Sequence, residues 1–145
     1  MPYVPINPVH EREHIERTSE RLRAVDGHLA DRWDRAIELF GEAELYDSFL
    51  ELRGLASDGD CPEELAVDVR LQMIRCIRDA PLERLERERT KVEPTTPFQR
   101  VIDLYRTGWV ELHRREDPEE ADIPFRRAKN LAREVDSRPW ECAAQ

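Results

Sequence analysis

The sequence is poor in glycine and has no long apolar run. Five glycines occur among 145 residues, and neither G-x-G-x-x-G nor G-x-x-x-x-G-K is present, so loops that cradle phosphate groups are excluded. No apolar segment approaches the roughly 20 residues that a membrane-spanning helix needs. The segment Met1 to Asn7 also lacks the basic start and apolar stretch of a secretory signal. We therefore expect a cytoplasmic protein that makes no contact with membranes.

Cysteine is also scarce. The three cysteines are Cys61, Cys76 and Cys142, an odd and widely spaced set without a C-x-x-C pair. This usage is typical of a reducing compartment and of free thiols that serve in packing. The sequence predicts no cofactor.

Charge is abundant but unbalanced. Aspartate and glutamate number 32 against 23 lysines and arginines, which gives a formal net charge of -9. Residues 1–60 hold seven arginines against 14 carboxylates, whereas residues 61–145 are nearly neutral. The excess of acid argues against nucleic acid as a direct ligand, because phosphate contacts need a net basic face. The asymmetry instead indicates a protein partner that is basic where it faces residues 1–60.

The spacing of apolar residues predicts an all-α fold. Leu, Ile, Val and aromatic residues recur at steps of three and four, and no alternating strand pattern occurs. We predict a compact bundle of about six helices. Its predicted parts are an extended arm at 1–9, a helical core at 10–92, a linker from Val92 to Pro97, a helical hairpin at 97–136 packed on the core, and an irregular tail at 137–145.

The arm is rich in proline and apolar side chains. Three prolines fall within its first eight residues and favour an extended backbone. Tyr3, Val4 and Ile6 are too apolar for a free tail, so we expect the arm to lie on the domain or on a neighbouring chain, and these three residues are candidate partner-binding residues.

Two segments of the predicted core bear on how its helices are arranged. Asp26-Gly27 is a turn signal, yet the apolar stripe stays in phase across it, which favours one long kinked helix over a hairpin of two. The next helix, at about 42–55, has apolar residues nearly all round, including Tyr46. We therefore predict that it is the central core helix.

The string His10-Glu11-Arg12-Glu13-His14 satisfies H-E-x-x-H. On a helix the two histidines lie one turn apart, and Glu11 could act as a general base on a zinc-bound water. In these five residues the chain resembles the zincin metalloproteases, and the resemblance implies a zinc-dependent hydrolase. No downstream G-x-x-H follows, so the favoured interpretation is a pair of histidines on the surface of a helix.

A second resemblance lies near the C-terminus. The small and large residues Gly108, Ala121, Phe125, Ala128 and Leu131 resemble those of a tetratricopeptide helix pair, in which small side chains let two helices approach closely. No second copy follows at a period of 34 residues, so an ordinary antiparallel helical hairpin is the favoured interpretation.

Basic residues cluster on the last predicted helix. Arg126, Lys129 and Arg133 recur at steps of three and four, with Arg127 beside them. The cluster could contact an acidic protein, or phosphate if the chain is a small subunit of a nucleic-acid-handling complex. Ion pairing within the chain is the commoner explanation for such a pattern.

Trp140 lies outside every predicted helix. It is either folded back on the core, which is favoured, or an anchor for a partner. The arm, the charge asymmetry and Trp140 together predict a non-enzymatic helical interaction protein: an adaptor, an assembly subunit or a small regulator that docks on a larger complex.

Overall fold

The computed structural model describes residues 7–145, which contain eight α-helices and no strand. The predicted all-α fold class is therefore confirmed. Tyr3, Val4 and Ile6 of the predicted arm lie outside the described residues. The helices are α1 (Val9–Val25), α2 (Gly27–Gly41), α3 (Leu45–Ala56), α4 (Glu63–Cys76), α5 (Leu82–Arg89), α6 (Pro97–His113), α7 (Pro118–Glu134) and α8 (Arg138–Ala143).

The chain forms two compact units, residues 1–92 and residues 93–145. The first unit contains α1 to α5, and the second contains α6 to α8. Their boundary falls inside the segment Val92 to Pro97, where two prolines and two threonines indicate a linker.

The prediction of one long helix across Asp26-Gly27 is wrong. Asp26 has an extended backbone between α1 and α2, and its carboxylate accepts a hydrogen bond from the amide of His28 at 2.8 Å. This side chain satisfies a backbone donor at the start of α2, which stabilises a helix start there. The two helices then pack as a hairpin, with the Ser19 hydroxyl donating to Asp34 at 2.9 Å.

The interior of the first unit is built mainly from α4. Ten of its 14 residues are buried, against five of 12 in α3. α3 packs between α2 and α4, as expected of a helix in the core. It is not buried all round, because Tyr46 is 64% exposed while Phe49, Leu52 and Leu55 of the same helix are buried.

The second unit is a helical hairpin followed by a short helix. The Thr96 hydroxyl accepts from the amide of Gln99 at 3.2 Å and so caps the start of α6. α7 begins at Pro118, where Asp117 caps its first turn by accepting from the amide of Glu120. It continues through Pro124, which cannot donate to the carbonyl of Glu120.

The two helices of the hairpin approach closely at Gly108. A Cβ atom at this position would lie 2.7 Å from two ring atoms of Phe125. The ring of Phe125 also packs on that of Tyr105, with ring centroids 5.5 Å apart. Only a residue without a side chain fits between α6 and the Phe125 ring.

Replacing Gly108 with alanine should therefore destabilise the second unit by about 1–2 kcal/mol, since the overpacking cost exceeds the gain in helix propensity. The double variant Gly108→Ala, Phe125→Leu should recover part of that loss, and urea unfolding followed by circular dichroism measures both. Gly41→Ala is the control, because a Cβ there meets no atom within 4 Å. Equal stability of the wild type and Gly108→Ala would contradict the close approach.

The predicted irregular tail at 137–145 is largely helical. Ser137 caps α8 by accepting from the amide of Trp140, with the two atoms 3.5 Å apart. This extra helix and the division at Asp26 account for the difference between six predicted helices and the eight found in residues 7–145. A serine followed by Arg138-Pro139 is a helix start that the apolar periodicity alone does not reveal.

Candidate functional site

The H-E-x-x-H string lies on α1, and part of it is buried. Glu11 is 3% exposed and His14 is fully buried, whereas His10 remains partly accessible. The interpretation of both histidines as surface residues is therefore wrong for His14. Thr18, one turn further along α1, is buried as well, so α1 presents a polar row to the interior of the first unit.

Helix α4 supplies polar residues that meet this row. Arg75 has its Nε atom 3.7 Å from a carboxylate oxygen of Glu11. The Asp68 carboxylate lies 3.8 Å from Nε2 of His14. Arg21 of α1 reaches the same carboxylate at 3.4 Å. Glu11 and Arg21 of α1 thus face groups of opposite charge on α4, so the buried carboxylates of Glu11 and Asp68 each have a cationic neighbour.

Apolar and aromatic groups complete the surroundings. The Arg75 guanidinium lies over the ring of Phe40, 4.5 Å from its centroid. The imidazole of His14 meets Trp33 edge-on, with ring centroids 6.0 Å apart. The indole of Trp33 donates in turn to the carbonyl oxygen of Ile15 at 3.1 Å. These contacts join α1, α2 and α4, so the polar row has a role in helix packing.

The described residues offer no group of three or more His, Cys, Asp or Glu arranged to hold a metal ion. Glu11, which a zincin-like site would use as base, has an arginine beside it. The geometry of the string therefore lends no support to the zinc-dependent hydrolase.

Two of the four basic residues of α7 bind carboxylates. Arg126 binds Asp122 and Arg133 binds Glu141, each at 2.6 Å, so the interpretation as intramolecular ion pairs is confirmed for these two arginines. The hydrogen bond from Arg133 holds the pKa of Glu141 below its usual value. Arg127 is exposed and forms no ion pair within the described part of the chain.

Trp140 is not available as an anchor. Its side chain is fully buried, and its ring meets Tyr105 edge-on, with centroids 5.3 Å apart. The Arg106 guanidinium lies 5.9 Å from the ring centroid. The prediction that Trp140 folds back on the protein is confirmed, and its assignment as a partner-binding residue is wrong.

The turn from α2 to α3 forms an exposed acidic surface that sequence reasoning missed. The C-terminus of α2 closes on Ala43, whose φ of 63° lies in the left-handed region, and the amide of Glu44 bonds back to Leu39. Tyr46 then projects at the start of α3. We call Tyr46 and the three exposed carboxylates around it in the chain the acidic corner: Glu42, Glu44, Tyr46 and Asp47.

The carboxylates of the acidic corner form no ion pair within the described part of the chain. No lysine or arginine of residues 7–145 lies within salt-bridge distance of Glu42, Glu44 or Asp47. Many other carboxylates of the first unit do have such partners. One signal in the sequence was available: the stretch from Phe40 to Leu52 contains four carboxylates and no basic residue.

Comparison with known proteins gives no relative. No family model, no curated protein and no solved structure matches the chain. Within the described residues, no helix is both long and apolar enough to cross a membrane.

Proposed function

We propose that this protein is a non-enzymatic helical interaction protein, an adaptor, assembly subunit or small regulator that docks on a larger complex. In this proposal a basic protein partner binds the acidic corner of the first unit. The N-terminal arm with Tyr3, Val4 and Ile6 is proposed as a further contact. The three cysteines are free thiols, which favours a reducing compartment such as the cytoplasm.

One observation carries the proposal. A tyrosine that is 64% exposed lies next in the chain to three exposed carboxylates that form no ion pair with any residue in 7–145. Tyrosine is enriched at the centres of protein interfaces, and its ring attracts an arginine or lysine by about 0.5–1 kcal/mol at an exposed site. The carboxylates would supply ion pairs to the same basic residues and speed their approach.

The net charge of residues 1–60 also favours a basic partner. Residues 1–60 contain twice as many carboxylates as arginines, and they contain no lysine. The field of the whole region therefore attracts a basic protein and repels nucleic acid.

The test is affinity capture from the native host, followed by binding measurements with the purified basic protein that is captured. We expect Glu42→Lys, Asp47→Lys and, separately, Tyr46→Ala to weaken binding at least about tenfold, the loss typical of an interface centre. The measurement is isothermal titration calorimetry at two salt concentrations.

Glu16→Lys, Glu20→Lys is the matched control. It changes the net charge equally, on exposed residues of α1 outside the acidic corner. Unchanged binding of the control supports a local site. An equal loss in the control, or no loss in either variant of the corner, would refute the proposed site, and capture of acidic proteins alone would refute the partner class.

A further inference from the structure

Helix α7 has an outward face that the described chain leaves uncovered. Ile123 lies at its centre and is 54% exposed. Side chains three and four positions away share a helix face with it. All four of these side chains are exposed, and with Ile123 they form the α7 stripe: Glu119, Glu120, Ile123, Arg126 and Arg127.

The charges of the α7 stripe are arranged symmetrically about Ile123. Two glutamates precede it by four and three positions, and two arginines follow it by three and four positions. When two identical helices pack antiparallel about a two-fold axis at Ile123, the residue k positions after Ile123 lies at the same height as the residue k positions before it in the second copy. The two arginines of one copy therefore lie alongside the two glutamates of the other.

We propose that the α7 stripe is the contact of a symmetric homodimer. The two Ile123 side chains meet at the axis, and four ion pairs between the copies surround them. This is an isologous contact, in which one surface patch binds its own copy. The proposal concerns the second unit and does not depend on the acidic corner.

The charged groups of the stripe are available for such contacts. Glu119, Glu120 and Arg127 form no ion pair with any residue in 7–145. Arg126 binds Asp122, but both side chains are more than half exposed, and such a pair contributes little to stability. Exchanging Asp122 for a glutamate of the second copy therefore costs little.

Charge complementarity favours a second copy over other partners. The stripe has two negative and two positive groups, so a uniformly acidic helix, a uniformly basic helix or a nucleic acid would each meet like charge on one half. A helix with the opposite order of charges fits both halves. The antiparallel stripe of an identical chain has that order.

The dimer should be weak and sensitive to salt. A single helix pair buries less than the roughly 1,200 Å² of a stable interface, and the net charge of -9 on each copy opposes association. We expect a dissociation constant on the order of 10⁻⁴ M. Raising the ionic strength to about 1 M shortens the Debye length to about 3 Å and should weaken the four exposed ion pairs.

Sedimentation velocity of the full chain over a range of concentrations tests the proposal. Arg126→Glu, Arg127→Glu should weaken self-association at least about tenfold, and so should Glu119→Arg, Glu120→Arg, because each variant places like charges opposite each other. An equimolar mixture of the two variants should associate again, since one copy then presents only acids and the other only arginines.

Single substitutions test whether the exposed isoleucine at the centre of the α7 stripe is specifically required for self-association. Ile123→Asp should abolish association, whereas Val25→Asp, at a valine that is 49% exposed on α1, should leave it unchanged. Circular dichroism verifies that each variant keeps its helix content. A wild type that stays monomeric near 1 mM, failure of the mixture to associate, or equal loss in Val25→Asp would overturn the proposal.

Discussion

Replacing Trp140 with alanine is expected to lower the free energy of unfolding of the second unit by about 3–5 kcal/mol. The indole is fully buried and packs edge-on against Tyr105, so its removal leaves a large cavity. Domains have a total stability of only about 5–15 kcal/mol. The thermal midpoint of this unit should therefore fall by more than about 10 °C in circular dichroism.

Leu112→Ala is the control for Trp140→Ala. Leu112 is a large apolar residue of the same unit that is 37% exposed, so its truncation should cost little. Trp140→Phe should give an intermediate loss, because a ring still fills most of the site. An unfolding midpoint for Trp140→Ala equal to that of the wild type would contradict the buried position and restore Trp140 as a candidate anchor.

Replacing Trp33 with alanine should destabilise the first unit by a similar amount, about 3–5 kcal/mol. Trp33 is fully buried in α2, meets the imidazole of His14 and donates a hydrogen bond to the carbonyl of Ile15. Its loss therefore affects both the packing of α2 on α1 and the environment of the buried polar row. Urea unfolding followed by far-ultraviolet circular dichroism measures the change.

Trp33→Phe separates the two contributions of Trp33. Phenylalanine keeps most of the ring but cannot donate to Ile15, and the loss of one hydrogen bond costs about 1 kcal/mol. We expect Trp33→Phe to cost about 1–2 kcal/mol, and Val25→Ala, at an exposed position of α1, to cost almost nothing. A loss in Trp33→Phe as large as that in Trp33→Ala would mean that the hydrogen bond outweighs the packing.

The all-α fold class could be predicted from the sequence because the signals for helices are local. Apolar spacing depends only on near neighbours, and so does the cap at Thr96, where the hydroxyl bonds the amide three residues later. Asp26 shows the limit of periodicity. The stripe stays in phase by coincidence, while the local hydrogen bond to His28 decides that one helix ends and another begins.

The burial of polar residues could not be predicted from their neighbours in the sequence. His14 and Glu11 are buried because Asp68 and Arg75 approach from α4, more than 50 positions away in the sequence. Spacing along α1 says nothing about these partners. A five-residue string can therefore match a metal-binding pattern while its side chains pair with another helix.

The exposure of Tyr46 could not be predicted from the sequence either. Tyr46 belongs to a helix with apolar residues on most sides, and only the position of α3 in the unit decides which side faces solvent. The acidic corner was therefore absent from the sequence-based candidates, although its carboxylates are visible in the sequence.

The mirror order of charges along α7 has a consequence for the strength of docking. If the α7 stripe forms the proposed homodimer, that dimer carries the acidic corner twice and would offer both copies to one assembly. When that assembly has repeated subunits, the second attachment is intramolecular and its effective concentration can reach the millimolar range. Two weak contacts would then hold the dimer on the assembly more tightly than one contact could. Modest changes in the concentration of this protein would regulate how much of it stays bound to the assembly.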